Sequence, residues 1–69
     1  MPIIKAMERL KQYLEENSIS QTEIAREVGV KQPTVWEWLN GESLPSAENL
    51  QKLSRVTGLT IDALLSHAA

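Results

Sequence analysis

Residues 21–41 read QTEIAREVGVKQPTVWEWLNG, and the rest of the chain is organised around them. The pattern predicts two short helices, Gln21 to Val28 and Gln32 to Asn40, separated by Gly29, Val30 and Lys31. Ala25 is small where two helices must cross closely. Gly29 can take the left-handed backbone that ends a helix. Ile24, Val28, Val30, Val35 and Trp38 then fall on the inner side of the resulting corner. The helix from Gln32 to Asn40 sorts further on a helical wheel: Val35, Trp38 and Leu39 point inward. Pro33, Glu37 and Asn40 point roughly opposite, with Gln32, Thr34 and Trp36 on the flanks.

The start of the first of these helices is strongly marked. Ser20-Gln21-Thr22-Glu23 is a capping box, in which the Ser20 hydroxyl accepts the Glu23 amide and the Glu23 carboxylate accepts the Ser20 amide. Ile19 and Ile24 flank it as a hydrophobic staple. The second helix starts differently. Lys31 occupies its N-cap position, where Ser, Thr, Asp or Asn would be better by about 1 kcal/mol. Pro33 lies in its first turn, where the missing amide does little harm. A lysine in a capping position points to a requirement other than helix stability, and a nearby phosphate is a candidate.

Working outward, residues 3–16 read as a first helix with Ile3, Met7, Leu10 and Leu14 on one face and Pro2 at its start. Its charges, Glu8, Lys11, Glu15 and Glu16 among them, read as a solvated face. Beyond Gly41, residues 42–45 form a loop from which Leu44 is expected to tuck into the core. Ser46 caps a fourth helix over 47–57, with Leu50, Leu53 and Val56 buried and Glu48 in its first turn. Gly58 ends that helix. Thr60 caps a short fifth helix with Ile61, Leu64 and Leu65 inside, and Leu59 also covers the core. His67, Ala68 and Ala69 read as a frayed tail. The expected architecture is all-α, five helices in a single domain over 1–69.

The bulk properties bound the function. Sixty-nine residues allow one small domain. The chain has no Cys and no Phe, so disulfides and Cys-based zinc sites are excluded and the core is aliphatic. No apolar run is long enough to span a membrane. The net charge is −2 and the pI about 5.2, which is unusual for a nucleic-acid binder, since phosphate contacts supply much of the affinity. Up to residue 34, Lys5, Arg9, Lys11, Arg26 and Lys31 balance Glu8, Glu15, Glu16, Glu23 and Glu27. After it, Lys52 and Arg55 face Glu37, Glu42, Glu48 and Asp62. A local patch can still steer binding on an acidic protein. Catalysis has little support. The one His is in the tail, no nucleophile and base come with a third orienting group, and no glycine-rich phosphate loop is present. Asp62 and His67 do not make a metal site. No cofactor, metal or small-molecule substrate is expected.

Two helices joined by this turn form a helix-turn-helix, the unit that places its second helix in the DNA major groove. The chain resembles the Cro/C1-type (XRE) helix-turn-helix family of phage and bacterial repressors. The matching residues are Gln21, Ile24-Ala25, Gly29-Val30, Gln32, Val35, Trp38, Asn40-Gly41, Pro45, Leu50, Leu53, Gly58 and Asp62 to Leu65, within a similarity running from about residue 6 to 65. The resemblance implies a compact lambda-repressor-like domain that acts in the bacterial or phage-infected cytosol. It implies a homodimer that binds double-stranded DNA at a palindromic operator and represses transcription.

It also implies roles by position. Gln32, Pro33, Thr34 and Glu37 are the candidate base-contacting residues. Gln21, Lys31 and Asn40 are candidates for the DNA backbone, with Gln21 also supporting the first recognition residue. A glutamine at Gln32 can pair bidentately with adenine, Pro33 can pack on a thymine methyl, and Glu37 can accept from cytosine N4. Departures from the family are Pro33, Glu37, the bulky Trp36, and a loop of Glu42-Ser43-Leu44-Pro45 where some relatives are rich in Lys or Arg. Each candidate has a plainer reading. Gln21 can be a helix former after a cap, the Thr34 hydroxyl can satisfy its own backbone, and Lys31 and Arg26 can be solvated surface. Trp36 can cover the domain's own side chains near Leu14 and Leu39, touch DNA, or belong to a protein interface, and partial burial against the domain's own side chains is expected. An alternative function follows from the acidic balance, Glu37 and Trp36: a protein-interaction module on the same fold, antitoxin-like or polymerase-binding, with weak DNA affinity.

Overall fold

A computed structural model describes residues 7–65 of the chain. The helices are α1 (Glu8–Glu16), α2 (Gln21–Val28), α3 (Gln32–Leu39), α4 (Ala47–Thr57) and α5 (Ile61–Leu65). Pro2 and Ile3 at the expected start of the first helix, and the tail from His67 to Ala69, lie outside the described residues. Within them, α1 does not run through Met7 as expected. Met7 is left-handed, at φ 62°, and the helix begins at Glu8. A side chain in that conformation costs about 1 kcal/mol or more. Burial offsets the cost here, because the turn drives Met7 into the core at 1% exposure.

The α2–α3 corner forms as its sequence dictates. Both arms of the capping box close, Glu23 N to Ser20 Oγ at 3.1 Å and Ser20 N to Glu23 Oε1 at 3.0 Å. The Ser20 amide, then its hydroxyl, hold the Glu23 carboxyl below its usual range, with a smaller contribution from Arg26. At the other end of α2, Gly29 sits at φ 88°. That turn lets the Val30 amide reach back to the Ala25 carbonyl at 2.9 Å, the long hydrogen bond of a Schellman ending. Lys31 is the N-cap of α3 and makes no side-chain cap, as its chemistry requires.

Packing follows from these corners. α3 packs on α2 and α1, α4 on α2 and α5, and α5 closes onto α1. Leu10, Ile24, Val28, Val35, Trp38, Leu53 and Leu64 fill the centre, each nearly or fully buried. Ile19, Val30, Leu59 and Ile61 are partly buried against them.

Three expected core residues are exposed instead. Leu44 is 63% exposed, and its neighbour Pro45 takes the buried place. A residue before proline is held extended, so consecutive side chains point opposite ways and only one of the pair can face inward. Val56 is 37% exposed. Each i+3 step on a helix falls about 60° short of a full turn, so Val56 has rotated about 120° away from Leu50. Thr57 is half-buried instead, donating to the Leu53 carbonyl at 2.7 Å. Leu65 is 39% exposed because it adjoins the fully buried Leu64 on a five-residue helix. Trp36 keeps 43% of its surface exposed, which agrees with the partial burial expected of it.

A Cβ added at Gly29 would meet nothing within 4 Å, so its backbone angle alone resists substitution. Gly29→Ala is expected to destabilise the domain by about 1 kcal/mol and Gly29→Asn by less, since Asn tolerates the left-handed region. Urea unfolding midpoints check this. An unshifted midpoint for Gly29→Ala would show that the corner does not need the left-handed turn.

Candidate nucleic-acid interface

The outer side of α3 carries the candidate reading residues. Lys31, Pro33, Trp36 and Asn40 are exposed, whereas Gln32, Thr34 and Glu37 are half-buried. The half-buried group is held by specific contacts. Gln32 Nε2 donates to Gln21 Oε1 at 2.6 Å. This bond joins the first residue of α3 to the first residue of α2, and the Gly29 corner is what brings them together. It leaves Gln32 with its own Oε1 and one N–H, and Gln21 with both N–H groups. The free pair on Gln32 is complementary to the N6 donor and N7 acceptor on the major-groove edge of adenine. The free donors on Gln21 suit a phosphate oxygen.

The neighbouring residues differ in how committed they are. Pro33 presents only a ring, so its available chemistry is apolar contact. The Thr34 amide donates to the Lys31 carbonyl at 3.0 Å. Asn40 closes the end of α3: its Nδ2 donates to the Trp36 carbonyl at 2.8 Å, and its backbone amide reaches the same oxygen at 3.0 Å. One N–H remains on that side chain for an outside acceptor. Glu37 accepts from the Ser43 hydroxyl at 3.3 Å. Lys31 makes no salt bridge with a described residue. The ion pair present among those residues is Lys52–Glu48 at 3.6 Å on α4, exposed and of little consequence for stability.

An open groove of about 630 Å³ runs beside these residues, lined in part by Lys11, Leu14, Ser18, Gln21, Leu39 and Asn40. It brings Gln21 and Asn40, from different helices, to one surface. It also adds Lys11, which the sequence placed on a solvated helix face. Lys11 stands three positions before the buried Leu14, so it sits at the margin of the α1 core stripe. That spacing is the signal by which it was findable. Lys11 therefore supplies a cation next to two candidate backbone contacts, although Glu15 lines the same groove and offsets its charge.

The described residues contain no buried polar or charged side chain and no cluster of three His, Cys, Asp or Glu able to hold a metal. None of their helices is long and apolar enough to cross a membrane.

Comparison with known proteins gives two matches. A family model described as helix-turn-helix matches residues 10–64. A Haemophilus influenzae protein named as an uncharacterized HTH-type transcriptional regulator is 40% identical over 53 residues, covering 77% of this chain. The aligned stretch spans 22% of that relative's length. No solved structure gives a significant match.

Gln21→Ala removes the acceptor that holds the Gln32 amide. The two Gln32 Nε2 proton resonances are then expected to move toward the position of a free, solvated glutamine, with the backbone spectrum of α3 otherwise retained. Unmoved side-chain resonances would show that the Gln21–Gln32 bond is not populated in solution.

Proposed function

This chain belongs to the Cro/C1-type helix-turn-helix family, and we propose that it is a transcriptional regulator that binds a palindromic operator as a homodimer. It does so in the bacterial or phage-infected cytosol, and it represses by occluding a promoter. The working unit is one domain formed by the chain. The observation that carries this reading is the 2.6 Å bond between Gln21 and Gln32. It fixes a long, flexible side chain before any ligand arrives, so less conformational entropy is lost on binding. It also leaves Gln32 with the donor and acceptor that adenine requires.

The remaining roles follow from side-chain chemistry. Gln32 supplies most of the direct readout. Pro33 contributes contact with a thymine methyl, and Thr34 and Glu37 add discrimination. Gln21, Lys31, Lys11 and the free N–H of Asn40 hold phosphates and set the register of α3 in the groove. Two copies related by a two-fold axis place their α3 helices in successive major grooves about 34 Å apart. With so few cations in the interface, non-specific affinity is low and base contacts carry a large share of the selectivity.

A second reading has an observation of its own. Trp36 and Leu44 are 43% and 63% exposed, and exposed aromatic residues are enriched in protein interfaces. A module that docks a partner protein through these side chains would show little duplex affinity at any salt concentration.

Fluorescence-anisotropy titrations against a selected operator and against random duplex separate the two. Gln32→Ala is expected to cost about 1–3 kcal/mol on the operator and to relax one base position. Equal loss on random DNA would remove Gln32 from the base readers. Lys31→Ala is expected to weaken all sequences alike and to flatten the salt slope by about one. An unchanged slope would take Lys31 off the phosphate.

A further inference from the structure

Glu37 is held from two directions by the loop that follows α3. Gly41, at φ 74°, turns the chain back on itself. The Glu42 amide then donates to the Glu37 carbonyl at 2.9 Å. One residue later, the Ser43 hydroxyl donates to Glu37 Oε1 at 3.3 Å. Glu37 is thereby half-buried and oriented, and it makes no salt bridge with a described residue. Its second carboxylate oxygen remains available.

The geometry points to Ser43 as the positioning residue that makes Glu37 a reader of the cytosine amino group. This inference rests on the DNA-reading function proposed above and names a second base preference within the same half-site. A carboxylate only accepts hydrogen bonds. Guanine N7 and O6, thymine O4 and the phosphate oxygens are acceptors too, so each of them repels it. Adenine offers N6 as a donor, but the adjacent N7 faces the carboxylate with a lone pair. Cytosine N4 has an acceptor on one side alone, the paired guanine O6, whereas adenine N6 lies between its own N7 and the paired thymine O4.

The identity of the holding group matters. A lysine or arginine at position 43 would neutralise the carboxylate and compete with the base for it. A serine hydroxyl takes up one oxygen and leaves the charge in place for the other. An unheld Glu37 would sample rotamers that carry its charge toward phosphate, so orientation is what turns a liability on this surface into discrimination. The spacing also fixes where the preference appears. Glu37 is five residues beyond Gln32, about 7.5 Å along the helix axis. That corresponds to roughly two base-pair steps of about 3.4 Å. With α3 lying along the groove, the cytosine is about two base pairs from the adenine read by Gln32.

The test is competition binding on duplexes that carry each of the four base pairs, one position at a time, across the wild-type protein's own selected site. The wild type is expected to prefer cytosine at the stated position. Ser43→Ala should reduce that preference by roughly three- to tenfold, the net contribution of one ordinary hydrogen bond. Ser43→Thr keeps the hydroxyl and should restore it. Glu37→Gln should abolish the preference, and adding Ser43→Ala to it should have no further effect at that position. Equal weakening of all sequences by Ser43→Ala, or an unchanged cytosine preference, overturns the role given to Ser43 while leaving the DNA reader intact. A wild-type protein that selects a site with no cytosine preference overturns the assignment of Glu37. A wild-type protein that selects no site overturns the DNA-reading function itself.

Discussion

The crossing of α2 and α3 at Gly29 is the constraint on which the rest of the structure depends. The left-handed turn there closes α2 through Val30 and Ala25, and the small Ala25 and bulky Trp38 are both buried where α2 and α3 pack. α1, α4 and α5 then cover the apolar side of that corner. The polar side of the same corner brings Gln21 and Gln32 within hydrogen-bonding distance. One backbone conformation thus serves both the core and the candidate reading surface. This is economical in a chain with no Phe, no Cys and only a small aliphatic interior.

The surface built on this corner is polar more than it is basic. Lys11 and Lys31 lie near it, but Glu37 lies on it, and the following loop carries Glu42 instead of lysine or arginine. In water and at physiological salt, a few exposed cations give limited attraction to a duplex. In the function proposed, discrimination comes from hydrogen bonds made by side chains whose positions are already fixed. Gln32 and Glu37 are both tethered by neutral partners, Gln21 and Ser43. Neutral tethers orient a side chain without consuming its charge or all of its donors and acceptors. For the proposed DNA reader, such an arrangement sacrifices non-specific affinity and retains selectivity.

Much of this was legible in the sequence, because the informative signals are local. The capping box at Ser20 to Glu23, Gly29 at the end of α2, Ser46 before α4 and the inward triplet of Val35, Trp38 and Leu39 depend on neighbours within one or two turns. What escaped the sequence depends on backbone geometry that composition does not encode. Nothing in a methionine signals that Met7 will be left-handed. Leu44 is more apolar than Pro45, yet the extended backbone that proline imposes on its neighbour decides which of them faces inward. Val56 satisfied a spacing rule by one step but had rotated off the buried face by the second. The Gln21–Gln32 pairing came from the family resemblance and not from the spacing. The Ser43–Glu37 contact had no sequence signal, since it exists only once Gly41 has folded the loop back over α3.

The most direct test of the central claim is selection of binding sites from a random duplex library by the intact protein at low and moderate salt. If a preset Gln32 on α3 reads DNA as part of a dimer, the selected sequences will form a palindrome with half-sites about one helical turn apart. Each half-site will contain an adenine whose enrichment disappears with Gln32→Ala. Recovery of no enriched sequence at either salt concentration would contradict the account and leave the exposed Trp36 and Leu44 as the surface that explains the fold.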